Sequence, residues 1–497
     1  MFINTVKTPR NITVHFGIEP ANESNHISLL TGPNGSGKTD VLASIAKVFH
    51  GNTKTTNAVV RWYREARFYR STAEKPNPAD EAEYDYMPVR LITQTFSPFS
   101  RFPSGRRQSA QHLASIYSRG NETNENYICI GFNQKSRIEL RTFTSSIVED
   151  AILRLSERPK SARVAFQVLE DLNFKEGICL KYVADPKLQQ LVEIDRQPDH
   201  LERILRVFAR TGKLFLLNQV FSGRTLHRLR RELESGDVNE TIEYLRHAIN
   251  MISEHIAGSR IIKGINVNAY SYTAFKHRDS MSSDFAYLQA FSVLSRLGLL
   301  RITACELQPI GGETIDIRQA SSGQQQMLCS IFGLAAAVYD EAVVLIDEPE
   351  LSLHPRWQMQ FFKYLETILS VVKNCHVIMA THSPLIVQAA ALHNVQVISM
   401  GHDTAEQTTT ELTTTDSNSV EKMLVDVFET PIPDSLHISK EILGLVTRAE
   451  AGSFTDRFKS SSKLKKYLSL YQRQGEGSSS MTSLLNKALT LVESASN

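Results

Sequence analysis

Residues 32–39 read Gly32-Pro33-Asn34-Gly35-Ser36-Gly37-Lys38-Thr39, a match to the pattern GxxxxGK[ST]. The apolar run "HISLLT" (26–31) precedes it, and "DVLASIAKVFH" (40–50) follows with apolar residues at helical spacing. Strand, glycine-rich loop, helix is the context a phosphate-binding loop requires. Its glycines let successive backbone N–H groups curl around phosphate oxygens. Lys38 is expected to reach β- and γ-phosphates, and the Thr39 hydroxyl to hold Mg²⁺. Gly32, Asn34, Gly35, Ser36, Gly37 and Asp40 complete the expected nucleotide-binding set, so ATP and Mg²⁺ are the ligands implied.

Such a loop needs acidic residues elsewhere in the chain. "VVLIDE" (343–348) supplies them as an apolar strand ending in Asp347 and Glu348. Asp347 would bind Mg²⁺ through water, and Glu348 would act as general base on the attacking water. "MATHSP" (379–384) ends another apolar run and offers His382 as a sensor of the γ-phosphate. A different signal is "ASSGQQQM" (320–327), two hydroxyls, a glycine and a row of amides opening the apolar run "LCSIFGLAAAVY". On its own it reads as an ordinary helix N-cap.

The order of these motifs resembles the ABC-type ATPases of the DNA-repair and chromosome-maintenance branch. The fold implied is an α/β P-loop ATPase head with a mainly helical insertion and a helical C-terminal appendage. The resemblance makes Ser321, Ser322, Gly323 and Gln324 a signature that caps, in trans, the ATP held by a second subunit. It makes 351–355 the D-loop region and His382 the switch histidine. A glutamine is also expected to join the metal, and Gln94 in "LITQTFSPF" is the candidate, with Ser97 competing for the position. Asp40 departs from the pattern, since a carboxylate beside an α-phosphate is unfavourable; contact there would fall to backbone N–H groups.

Residues 40–320 separate loop from signature, enough for an inserted domain. "DEPELSLHP" and "THSPLIV" resemble the overcoming-lysogenization-type nucleases, but 390–497 contain no clear Asp-x-Asp, so no nuclease activity is expected. "TQTFSPFSRFP", "YICIGFN" and "SVEKMLVDVF" resemble the Septu-type antiphage ATPases, including forms found beside retron reverse transcriptases. PARIS-type ATPases are similar too. These resemblances imply a homodimer or higher oligomer with an effector partner, an HNH nuclease or a toxin. The alternative is a repair-type ATPase that binds nucleic acid without an effector.

The organisation expected is an ATPase lobe over 1–146, a mainly helical insertion over 147–299, a second ATPase lobe over 300–430 and a helical tail over 431–497. The Thr-rich stretch 402–419 reads as a loop, and 475–482 as a linker before a last short helix. Three basic clusters are the candidates for nucleic-acid contact: "RWYREARFYR" (61–70), residues 201–231, and "KLKKY" (463–467). The 497 residues are 41% hydrophobic and 22% charged with a net charge of +2, a globular composition in which bulk charge does not announce a polyanion binder. The five cysteines are scattered with no CxxC, which argues against a disulfide framework or a zinc site. Neither a signal peptide nor a membrane-spanning run is evident, so the cytoplasm is the expected compartment, with no membrane partner.

Overall fold

The computed structural model describes residues 1–17, 24–50, 57–64, 67–70, 90–103, 127–131, 140–155, 158–184, 188, 191, 200–211, 242–243, 245–251, 265–267, 294–295, 297–391, 393, 395–401, 407–411, 421, 423–428, 430–433, 435–452, 454–472 and 479–494. The segments "GRTLHRLRRELES" and most of "FAYLQAFSVLSRLGLL", expected to be helical, lie outside them.

A seven-stranded sheet organises the rest. Its strands, in chain order, are β3 (His26–Thr31), β6 (Arg90–Thr95), β7 (Tyr127–Gly131), β12 (Ala342–Asp347), β13 (His376–Ala380), β14 (Gln396–Met400) and β15 (Gln407–Glu411). The spatial order is β15-β14-β3-β13-β12-β6-β7, parallel except for β15. Every residue of β6, β12 and β13 is buried, as strands in the middle of a parallel sheet covered on both faces should be, although β6 carries Arg90, Thr93, Gln94 and Thr95. The sequence reading gave 402–419 as a loop. Within it, Gln407–Glu411 instead form β15 along the sheet edge, where the β-branched Thr408, Thr409 and Thr410 favour the extended backbone.

Two cores flank the sheet. Val343 and Leu345 join the one that holds helix α1 (Lys38–Phe49) and an antiparallel sheet. That sheet has the order β2-β1-β4-β5, with β1 Phe2–Lys7, β2 Thr13–His15, β4 Val59–Arg64 and β5 Arg67–Arg70. Val344 and Ile346 join the other core, with α2 (Leu140–Leu155), α3 (Pro159–Asp171), α5 (Ser322–Ala337) and α6 (Pro355–Leu369).

The expected insertion is helical only in part. After α3 comes β8 (Phe174–Ala184), and after α4 (His200–Thr211) comes β9 (Ile265–Val267). Both lie in one sheet with β10 (Leu300–Pro309) and β11 (Ile315–Asp316), ordered β11-β10-β8-β9. The expected boundary at 299/300 therefore cuts a sheet, and the one at 146/147 cuts α2. A single core runs across both, because Val148, Ile152 and Phe166 pack in the same cluster as Ile331 and Ile346. Residues 435–494 differ. There α8 (Leu436–Ala451), α9 (Phe454–Gln472) and α10 (Ser479–Ser494) close around their own apolar cluster, which Val425 joins. The last helix is not short, and it absorbs part of the expected linker. Within the stretch "SVEKMLVDVF", Met423–Val427 form a π turn. Helix α7 (Pro384–Ala391) follows β13.

His376, fully buried at the start of β13, ties the two sheets together. Ile3 N–H donates to its Nδ1 at 3.0 Å, and its Nε2 lies 3.2 Å from the Ser28 hydroxyl. Nδ1 accepts, so Nε2 carries the proton of a neutral ring, and a second proton would face the Ile3 N–H. Burial, aided by His26, holds its pKa well below the usual 6.5. The unfolded chain then binds a proton that the fold excludes, and stability falls as pH drops below 6.5. The expected slope from this residue is about 1.4 kcal/mol per pH unit. In denaturant titrations between about pH 5 and 6.5, His376→Asn keeps the acceptor for Ile3 and should lose about one proton's worth of that slope, whatever its absolute stability.

Candidate functional site

The loop between β3 and α1 is set by its glycines. Gly32, Gly35 and Gly37 take φ of +135°, +85° and +94°. At Gly32 a Cβ would lie 2.2 Å from the Met400 carbonyl oxygen, so any side chain would collide with the end of β14. Gly37 is the N-cap of α1 and contributes no side-chain cap, which leaves first-turn N–H groups free of that competitor.

Lys38 curls back into the loop. Its ammonium donates to the carbonyls of Gly32 (2.8 Å) and Pro33 (2.9 Å) and to the Ser36 hydroxyl (3.3 Å). Burial lowers its pKa to about 8, against the opposing charges of Glu348, Asp347 and Glu350. The next residue reaches the strand end. Thr39 Oγ1 donates to Asp347 Oδ1 at 3.1 Å. Burial, then the charge of Glu348, pushes Asp347 up to about 7, with the Thr39 bond and Lys38 pulling the other way.

Glu348 leaves the strand at φ +50°, while its N–H still bonds the Ala380 carbonyl at 2.9 Å. The left-handed turn aims its carboxylate at the loop after β13, where His382 Nε2 stands 3.6 Å from Oε1. Burial and the Lys38 charge lower His382 to about 4, so the ring is neutral near pH 7 and the contact is no ion pair. The fold thus brings Lys38, Thr39, Asp347, Glu348 and His382 together at the C-terminal ends of the inner parallel strands.

Asp40 pairs with two guanidinium groups, Arg10 at 2.9 Å and Arg101. They answer the charge problem that a carboxylate raises at this position. Gln94 is a correction. It is paired in register with Ile346, and Thr95 with Asp347. Residues level on neighbouring parallel strands share a face. Gln94 therefore lies on the α5 side of the sheet, opposite the Thr39–Asp347 pair, and does not reach a metal there. Both its amide atoms are buried without a partner among the described residues. Beyond it, Thr95 Oγ1 accepts the Ser97 N–H at 3.1 Å.

The three amides after Ser-Ser-Gly go in three directions. Gln324 closes a capping box with Ser321: its N–H donates to Ser321 Oγ (3.3 Å), and its Oε1 accepts the Ser321 N–H (3.0 Å). Gln325 Nε2 donates to the Ala320 carbonyl at 2.8 Å, and its Oε1 accepts the Thr144 hydroxyl of α2 at 3.2 Å. Gln326 is buried and donates to the Pro349 carbonyl at 2.8 Å, one residue past Glu348. Gly323 is buried too. A Cβ there would lie 2.7 Å from the Ser352 carbonyl and 2.8 Å from the Trp357 ring. Ser321 and Ser322 are exposed.

Sequence reasoning missed Glu350 and Gln358, whose side chains hold the loop of Thr381–Ser383. The only local signal was a third acid in "DEPE". Among the described residues no three His, Cys, Asp or Glu side chains converge as a metal cage, and none of the five cysteines forms a disulfide. "KLKKY" is drawn into the C-terminal bundle: Lys463 pairs with Glu441, Lys465 with Glu493, and Tyr467 is buried. Of the 201–231 cluster, 212–231 lie outside the described residues.

A phosphate loop joined through its threonine to an acid-tipped central strand defines a P-loop ATPase. The chain belongs to the AAA ATPase domain family, whose model matches residues 11–387. Similar proteins include the Septu protein PtuA of Bacillus thuringiensis, 41% identical over 63 residues, which are 13% of this chain and 15% of that one. The Retron Ec83 probable ATPase of Escherichia coli is 24% identical over 401 residues, 75% of this chain and 67% of the relative. The SMC head domain from Thermotoga maritima aligns at 8% identity over 83% of this chain and 99% of its own, with a TM-score of 0.30. The resemblance drawn from the sequence to Septu and retron ATPases agrees with the first two matches. Among the described residues no helix is long and apolar enough to cross a membrane.

Glu348→Gln should bind ATP with near wild-type affinity and hydrolyse it at least about 100-fold more slowly, since it loses basicity and keeps shape. Lys38→Ala should lose ATP affinity instead. Calorimetry and phosphate release on the two variants separate these roles.

Proposed function

We propose that this chain is the ATP-binding and hydrolysing sensor and scaffold subunit of an antiphage defence complex, controlling an effector protein, an HNH nuclease or a toxin. The observation that carries the reading is the extent of the retron ATPase match. It spans 75% of this chain, far more than the nucleotide motifs alone.

In this reading ATP lies along 32–39, its phosphates on the loop N–H groups and the Lys38 ammonium. The Thr39 hydroxyl and Asp347 carboxylate are hard oxygen donors 3.1 Å apart that would hold Mg²⁺, Asp347 through water, and the ion would neutralise phosphate charge there. Glu348 accepts the proton of the attacking water, and neutral His382 offers a ring nitrogen to the γ-phosphate.

Ser321, Ser322, Gly323 and Gln324 serve the ATP of a second copy. What supports this is that their hydrogen bonds stay within their own helix start, with none to 32–39, while both serines face solvent. Capping a foreign phosphate would redirect the Ser321 hydroxyl from Gln324 toward the anion. A mixed dimer of Lys38→Ala with Ser321→Arg places both lesions in one composite site and leaves the other intact. Mixing the two inactive proteins should restore up to about a quarter of wild-type ATPase activity. Verified mixed dimers that neither bind nor turn over ATP would remove the trans role.

The effector is tested by affinity purification with the neighbouring genes co-expressed. A stoichiometric nuclease or toxin is expected, retained in Glu348→Gln. Loss of phage protection in Glu348→Gln without any stoichiometric partner would sink the scaffold reading. One observation favours the alternative of direct nucleic-acid binding. The exposed Arg61 and Arg70 stand directly opposite each other on β4 and β5, an unfavourable like-charge pair that a polyanion would relieve. Salt-sensitive binding of a labelled duplex, abolished in Arg61→Ala/Arg70→Ala, would support it.

A further inference from the structure

The stretch between Glu348 and α6 is bound to the loop after β13 by side chains that the nucleotide motifs do not explain. Glu350 is their centre. Its Oε1 accepts the His382 N–H at 2.5 Å, and its Oε2 accepts the Thr381 hydroxyl at 3.0 Å. Thr381 Oγ1 in turn accepts the Ser383 N–H at 3.0 Å. A second tie comes from α6. Gln358 Oε1 accepts the Ser383 hydroxyl at 2.5 Å, and Gln358 Nε2 donates to the Leu353 carbonyl at 3.0 Å. The histidine loop thus hangs on two side chains that bracket residues 351–355.

The other side of that bracket meets α5. The Ser352 carbonyl and the Trp357 ring close on Gly323, and the Pro349 carbonyl takes the Gln326 amide. One unbroken series of contacts therefore runs from the exposed start of α5, through 349–358, to the backbone of His382.

A neutral acceptor would satisfy a backbone N–H and a hydroxyl. A carboxylate is the costlier choice, because it is desolvated and stands near two others. Burial raises its pKa, and its charge adds to the influences raising Asp347. A local choice that costs stability without structural need marks a functional position.

We propose that Glu350 is a positioning residue for ATP hydrolysis, fixing the backbone of Thr381 and His382 so that His382 Nε2 faces Glu348, and coupling that placement to residues 351–355. The inference rests on the reading of His382 as the γ-phosphate sensor.

The test is steady-state hydrolysis and ATP affinity in full-length E350A, E350Q, H382A and E350A/H382A. E350A should lower kcat at least about tenfold with the ATP dissociation constant within about threefold of wild type. E350Q keeps an acceptor for the His382 N–H but loses the second accepting oxygen and the charge, so it should recover only part of that loss. In the H382A background E350A should cost nothing further, because both act through one ring. Wild-type kcat in E350A, a loss confined to ATP binding, or losses that multiply in the double variant would each overturn the role of Glu350 while leaving His382 standing. Wild-type kcat in H382A would instead sink the sensor reading, and this inference with it. Should E350A fail to fold, E350D replaces it: one methylene less withdraws the acceptor without opening a large cavity, and wild-type kcat there overturns the proposal equally.

Discussion

One hydrogen bond joins residues 308 positions apart in the chain: Thr39 Oγ1 to Asp347 Oδ1, across the end of the central strand. It can form only if β12 lies between β6 and β13 in the observed register, because that register carries Asp347 to the edge where α1 begins. The parallel order in turn demands long crossovers, which the helices on both faces supply. A carboxylate at the end of a fully buried strand is costly, and its raised pKa records that cost. The two cores, one on each face, hold the strand in place against it.

Around this point the polar side chains tie loops to loops. Gln326 anchors the start of α5 to Pro349, Gln325 anchors it to α2, and Glu350 anchors the next segment to His382. The Gln326 and Glu350 bonds are made where backbone leaves regular structure and its own ladder ends, so a side chain must finish what the sheet cannot. The candidate site is held by elements that precede residue 50 and follow residue 320. Mutations in the first 50 residues and after 320 should therefore be felt in the same place.

The phosphate loop and the acid-tipped strand were legible because each is a local pattern: glycines where φ turns positive, apolar residues where both faces are covered. The fate of Gln94 was not. β6 is buried on both sides, and its sequence carries no alternation to say which face each residue takes, so a one-residue difference in reading moves a side chain across the sheet. β8 was legible in principle, since Ile178, Leu180 and Tyr182 alternate with more polar neighbours. The helical apolar spacing on either side of it points the other way. Glu350 could not be found from spacing, because its partners arrive from the next strand. Of the three amides in "GQQQ", Gln324 falls in the expected signature, while Gln325 and Gln326 serve the chain's own scaffold.

The packing of Trp357 on Gly323 has a practical consequence. The chain has two tryptophans, and they sit in unlike surroundings. Trp62 is buried between Phe49 and Tyr69 in the core beneath α1. Trp357 is half-buried, with its ring against the backbone that opens α5. Indole emission shifts with the polarity around the ring, so the two report separately. Replacing Trp62 by phenylalanine would leave a single intrinsic fluorophore on the seam between α5 and α6, and any movement of that seam would register as colour and intensity without an added label.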